Sequence, residues 1–350
     1  MNPLWQSYLQ SRNAVIQDGR VVSYGNATAE LASVRSDTVL ADLSHFSLIH
    51  FSGEDAQSFL QGQVSCDIKA INPSTSGATA LYGSYCNPKG RMLASFLMWH
   101  DGSGYVMQLP SGLQAAIQKR LSMYVLRAKV KLTDNSDAIV CVGTAGEHAE
   151  TLVREFLGVV PALLLEVTHT QRGSVIRLGQ DRFELLVPIE QAQTAWERLS
   201  RNAAPVGAYC WDWLDIKAGI PVITLPTQEQ FVPQMANVDI IGGISFHKGC
   251  YPGQEIVART QYLGKIKRRM VLANIKPPPE TTIQAGDELF SADMGEQSNG
   301  MIVNAAPAPD GGFDVLAVIQ TSSIEAGKIQ WMSLDGPALE IMPLPYLVPH

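Results

Sequence analysis

Two extended runs, residues 78–85 and 92–99, flank the tetrapeptide Asn87-Pro88-Lys89-Gly90. Proline presets one turn dihedral and glycine supplies another that other side chains resist, so this spacing predicts a hairpin. The sheet that holds it is therefore antiparallel at that point, and a wholly parallel, doubly wound architecture is excluded. Helical and extended signals alternate around the hairpin. Residues 46–51 alternate as a strand, and Ser52-Gly53-Glu54-Asp55 has the spacing of a capped helix start before Ala56, Phe59 and Leu60. Leu113, Ala116, Ile117, Leu121, Tyr124 and Val125 share one helical face. Strands are expected at 129–132, 139–142, 163–168, 175–178 and 183–187, with helices at 148–157, 192–199 and 209–218. This mixture reads as α+β.

Beyond Arg268 the texture changes. Pro277-Pro278-Pro279, Gly286-Asp287, the stretch Pro307 to Gly312 and Asp335-Gly336-Pro337 separate short runs such as 270–275 and 315–319. Short strands between turn signals predict a small all-β barrel over 268–350. No Rossmann or P-loop fingerprint is present.

The chain has 350 residues and a formal charge of −7, against a protein that coats nucleic acid through its overall field. The five cysteines form no C-x-x-C pair, and an odd number cannot all be paired, so a reducing compartment is expected. The first residues lack a basic, apolar leader and no apolar run is long enough to span a bilayer, so the expected location is cytoplasmic. The seven histidines show no H-x-x-x-H or H-E-x-x-H spacing, and no G-x-S-x-G elbow occurs, so neither a metal site nor a serine hydrolase is read from them.

Chemistry concentrates in Phe246-His247-Lys248-Gly249-Cys250-Tyr251-Pro252-Gly253-Gln254-Glu255 and the following Val257-Ala258-Arg259-Thr260. Glycines and a proline shape a loop carrying a thiol, a phenol, basic groups and a carboxylate. A helix starting at Gln254 would turn its positive end toward the loop and favour an anion or a thiolate. The bland alternative is a small cysteine buried in a tight turn. Lys265, Lys267, Arg268 and Arg269 form a second basic cluster, suited to an acidic partner, an anionic tail or a phosphate backbone, or else to a solvated edge that blocks strand pairing.

The octapeptide Lys248 to Glu255 resembles the K-G-C-Y-x-G-Q-E signature of the YgfZ-type folate-binding proteins, relatives of the glycine-cleavage aminomethyltransferase (T-protein). Leu60-Gln61-Gly62-Gln63-Val64, Cys86 to Arg91, Ala218-Gly219-Ile220-Pro221, Phe231-Val232-Pro233-Gln234 and Gly242 to Phe246 extend the resemblance in order along the chain. It implies two interlocked α+β units over 1–267 and the barrel over 268–350, around a central cavity for tetrahydrofolate. It implies Glu184, Trp211 and Phe46 as folate contacts and Cys250 as the residue that carries the chemistry. Lys248, Gly249, Tyr251, Gly253, Gln254, Glu255 and Arg259 complete the functional motif, with Lys248 and Arg259 placed to meet a glutamate tail or an acidic partner. The implied function is support of iron–sulfur enzyme assembly or repair and, through it, tRNA modification. Folate and iron–sulfur client or assembly proteins are the implied partners, while the net charge of −7 speaks against direct tRNA binding and the sequence offers neither a membrane span nor the spacing of a resident metal site.

Two departures from the T-protein pattern bear on activity. Ala94 and Ser95 stand where paired aspartates serve aminomethyl transfer, and Leu214-Asp215-Ile216-Lys217-Ala218-Gly219 lacks the arginine of L-R-x-E-A-G. An aminomethyl or methyl transferase is thus the second reading, and an adaptor with a vestigial cavity the third.

Overall fold

Along Arg182–Pro188 every second residue is apolar, and this alternation builds the first unit. Phe183, Leu185 and Val187 are buried in a core with Val140, Val142, Leu152, Val153, Phe156 and Trp196, while Arg182, Glu184 and Leu186 point to the opposite face. In the computed structural model, which describes residues 1–71, 78–262, 264 and 266–348, this strand lies in the middle of a seven-stranded sheet. The strand order is Ala204–Val206, Val39–Asp42, Ile139–Ala145, Arg182–Pro188, Gly173–Gly179, Glu166–Thr170, Ala78–Thr79, with only the first pair parallel. Helices Pro3–Ser11, Ala149–Leu157 and Ile189–Leu199 cover its core face.

The chain forms two compact units. The first comprises Met1–Leu60, Ile68–Leu81 and Leu97–Trp211. It also contains an antiparallel sheet in which Phe46–Ser52 pairs with Tyr105–Pro110 and with Lys131–Asp134. The expected 78–85 strand is broken at Ala80: Ala78–Thr79 joins the seven-stranded sheet and Leu81–Cys86 becomes a hairpin strand. The helix expected to reach Val125 ends at Ser122, and Tyr124 lies outside it.

The second unit comprises Gln61–Asp67, Tyr82–Phe96 and Asp212–His350. Its hairpin turn closes as the sequence requires, with Gly90 N donating to Asn87 O at 2.9 Å and Asn87 Oδ1 accepting from Lys89 N and Arg91 N. From Arg268 onward an antiparallel sheet of six strands curls into a half-barrel. Ala273, Ile275, Val315, Ala317 and Ile319 line its inside. On the other face Met270, Leu272, Leu316 and Val318 pack with Cys86, Met92, Phe231 and Val257. The half-barrel thereby shares a core with the hairpin and with the helix Gln254–Tyr262.

The basic cluster does not act as one surface. Lys265 lies outside the described residues, Lys267 is exposed and Arg268 half-buried, but Arg269 is buried. Strand alternation turns it inward, where Nη1 and Nη2 grip the Asp239 carboxylate at 2.7 and 2.9 Å and Nη1 donates to Gln234 O at 2.7 Å. Arg269→Met strands the Asp239 charge and should lower unfolding free energy by about 3–5 kcal/mol. Urea denaturation measures this, with most of the loss recovered by adding Asp239→Leu. An unchanged midpoint in the single variant would refute the pairing.

Candidate functional site

In the first unit Gly143 pairs across from Glu184, on the face opposite the apolar core. Having no side chain, Gly143 admits the Trp211 ring: a Cβ there would lie 2.4 Å from Trp211 Cζ3. The Arg182 guanidinium, on the same strand face as Glu184, stacks 4.5 Å from the Trp211 ring centroid. Glu184 is 2% exposed and accepts a hydrogen bond from Gln108 Nε2. Gln108 in turn pairs with Leu48, and Phe46 with Pro110, so Phe46 and Gln108 project from one face of their sheet. The structure therefore brings Glu184 and Trp211 together, and Gln108 connects them to the face that bears Phe46.

Their availability differs. Trp211 is also only 2% exposed, so its ring forms a wall beneath the carboxylate, not an open stacking surface. Phe46 is half-buried, with its ring 4.4 Å from His45. Sequence reasoning missed Gln108, Gly143 and Arg182. A signal existed for two of them: Gln108 interrupts the apolar strand Tyr105–Pro110, and Arg182 alternates with buried apolar residues as Glu184 does.

In the second unit the signature loop is anchored at both ends. Lys248 turns inward, its Nζ donating to Val64 O at 2.6 Å and Cys66 O at 2.7 Å and lying 5.2 Å from the Tyr251 ring centroid. Of the two cations expected to meet an anionic partner, then, Arg259 is exposed and Lys248 is committed to backbone carbonyls. The Tyr251 phenol is buried without a hydrogen-bond partner among the described residues. Gly249 and Cys250, between these anchors, are exposed. Gly253 has φ +80°, and a Cβ there would meet Asn87 O at 2.4 Å, so the loop lies directly against the hairpin turn. The helix Gln254–Tyr262 begins next, with Glu255 exposed and Gln254 half-buried.

Below the loop, Ser65 Oγ donates to Gly243 O at 2.6 Å and accepts from Ser84 N at 2.8 Å. Cys66 and Cys86 are buried here, and burial pushes both thiols up to about 12. Burial likewise brings the Lys248 ammonium down to about 8. Cys141, in the first unit, is raised by burial and then by the nearby Glu184 carboxylate.

The positions that carry aspartates in T-proteins are occupied structurally. Ala94 is buried, and Ser95 Oγ accepts from Ile223 N at 2.9 Å. In the first unit His50 Nε2 meets both Ser103 Oγ, at 3.0 Å, and Asp101 Oδ2, at 3.3 Å. A relay needs the two on different ring nitrogens, so this is not a hydrolase triad. Among the described residues no group of three or more His, Cys, Asp and Glu side chains is arranged to hold a metal ion, and no helix is long and apolar enough to cross a membrane.

Residues 16–244 match the GCVT N-terminal domain family. The chain is 32% identical over 327 residues to the tRNA-modifying protein YgfZ of Yersinia pseudotuberculosis, covering 91% of this chain and 96% of that protein. It is 32% identical over 286 residues to the protein of the same name from Colwellia psychrerythraea, covering 81% and 86%. In fold it is similar to the glycine cleavage system aminomethyltransferase T from Bartonella henselae, with a TM-score of 0.79, 19% identity and coverage of 99% and 97%.

Two outcomes follow from the thiol environments. At pH 8 the native protein should react with a thiol reagent at Cys250 alone, and in denaturant at all five cysteines. Rapid native labelling of Cys66 or Cys86 would refute their burial. Because folding raises these two thiols from 9.0 to about 12, their contribution to stability is intact below 9 and is lost as pH rises toward 12. Lys248, lowered from 10.5 to about 8, acts in the opposite sense between those values, so the fall in unfolding midpoint should steepen above about 10.

Proposed function

The chain belongs to the YgfZ family, within the wider GCVT fold, and on that premise we propose that it binds tetrahydrofolate and supports the assembly or repair of iron–sulfur enzymes and, through them, tRNA modification. The observation that carries the folate half is the buried Glu184 carboxylate, held by Gln108 and backed by Trp211 on the Gly143 platform. A pterin offers paired N–H donors, and a buried carboxylate is a strong acceptor for them. Gln108 can exchange its bond to Glu184 for one to the ring, because an amide both donates and accepts. Phe46 is the aromatic surface left for stacking. A tetrahydrofolate bound there would supply one-carbon chemistry only if it carried a one-carbon unit, and the chain's own residues would orient the ring through Glu184, Gln108 and Phe46 and exclude water from it.

The second half rests on Cys250. It is an exposed thiol on a loop whose flanking side chains, Lys248 and Tyr251, are both turned inward, so the thiol is offered to a partner and not used in packing. Arg259, exposed on the helix that follows, adds a positive charge for an acidic client surface. Against aminomethyl transfer stands the absence of an acid at Ala94 and Ser95.

Calorimetric titration with tetrahydrofolate tests the site. Glu184→Ala should weaken binding by about 10–100-fold, the loss of hydrogen bonds to a charged group. Wild-type affinity in that variant would remove Glu184 from the site. Cys250→Ala should keep its fold and its folate affinity, yet fail to restore iron–sulfur enzyme activity in cells lacking the family's protein. Full complementation by that variant would overturn the role of the thiol, and turnover of an aminomethylated carrier protein would replace this reading with the transferase.

A further inference from the structure

We propose that the turn following helix Ser111–Ser122 is a docking knob for a protein partner that carries an apolar pocket rimmed by carboxylates. Three large apolar side chains lie in the open here: Met123 is 60% exposed, Tyr124 45% and Leu126 87%. They are not a frayed end. Tyr124 N donates to Leu121 O at 3.0 Å, Ala128 N to Val125 O at 2.8 Å, and Lys129 N to the Asp55 carboxylate at 2.8 Å, so backbone bonds hold the turn. At its tip Leu126 has φ +48°, a left-handed conformation that glycine and asparagine tolerate and a leucine adopts at a cost. Burial of the side chain does not offset that cost within this chain, because the leucine is almost wholly solvated. Strain held at an unburied apolar residue points to a use outside the chain.

The charges around the knob identify the partner's chemistry. Lys119, Arg127, Lys129 and Lys131 are exposed within a dozen residues of a chain whose net charge is −7. Of the neighbouring acids, Glu54 is paired with Lys129 at 2.8 Å, while Asp55 and Asp134 accept bonds from neutral backbone and hydroxyl groups and keep their charge, so Lys119, Arg127 and Lys131 are the cations here that carry no ion pair among the described residues. An apolar tip with unpaired cations close to it in sequence complements an apolar pocket with carboxylates at its edge. Nucleic acid would also answer the cations, but the chain's overall charge of −7 opposes it, and a nuclease-sensitive adduct is the outcome that would reveal it. The inference does not depend on folate or on Cys250.

The test places a photo-crosslinking amino acid at position 126 of the full chain in cells, and identifies the adduct by mass spectrometry after nuclease treatment. The captured protein is then purified and titrated against variants at two salt concentrations. Leu126→Ala should weaken its binding at least tenfold. Replacing Lys119, Arg127 and Lys131 by Glu should weaken it further and flatten its salt dependence, with tetrahydrofolate affinity unchanged in both. Leu126→Gly, which suits the backbone, should keep or raise the melting temperature while losing partner binding. A nuclease-sensitive adduct, the absence of any adduct, or a captured protein that binds all variants like wild type would overturn the proposal. So would a lower melting temperature in Leu126→Gly, which would make the leucine structural.

Discussion

A single ammonium group organises the signature region. Lys248 Nζ donates to the carbonyls of Val64 and Cys66, tying two segments separated by 184 and 182 residues in sequence. A buried lysine is costly unless its protons are used, and here two carbonyls and the face of Tyr251 surround it. Between these two inward side chains Gly249 and Cys250 are both exposed, so the loop bows outward between its anchors and carries the thiol at its outer side. Gly253 completes the restraint by letting the backbone rest on the Asn87–Gly90 turn, where any larger residue would collide with Asn87 O.

In the first unit the equivalent device is an absent side chain. Gly143 opens a gap on the sheet face opposite the core, Trp211 fills it, and Arg182 covers the ring. Glu184 is left beside this surface with Gln108 as its donor. A carboxylate at 2% exposure is a poor choice for stability alone, since an apolar residue there would avoid desolvation. Its presence on an otherwise well-packed strand is the kind of local cost associated with ligand recognition.

Much of this was legible in the sequence. The hairpin around Asn87-Pro88-Lys89-Gly90, the helix from Gln254 and the strand containing Phe46 follow from turn chemistry and periodicity, which are local. The α+β class followed from their mixture, and the family resemblance pointed to Glu184 and Trp211. What stayed hidden is what depends on distant partners. Nothing near Lys248 shows that its protons belong to Val64 and Cys66, and a run of basic residues gives no sign that Arg269 is paired with Asp239. The stacking of Trp211 on Gly143 is equally invisible, because it joins residues 143 and 211 across a sheet face. The break at Ala80 went unforeseen because no proline, glycine or other turn residue stands at that position and only tertiary pairing divides the run.

The claim on which the functional account rests is that the Glu184 face receives a pterin. A crystal structure of the full chain with tetrahydrofolate tests it most directly. The account predicts the pterin's N–H donors on the Glu184 carboxylate, with Gln108 reoriented toward the ring and the ring lying against Phe46. Folate bound elsewhere, with the Gln108–Glu184 bond intact and Trp211 still covered by Arg182, would contradict it.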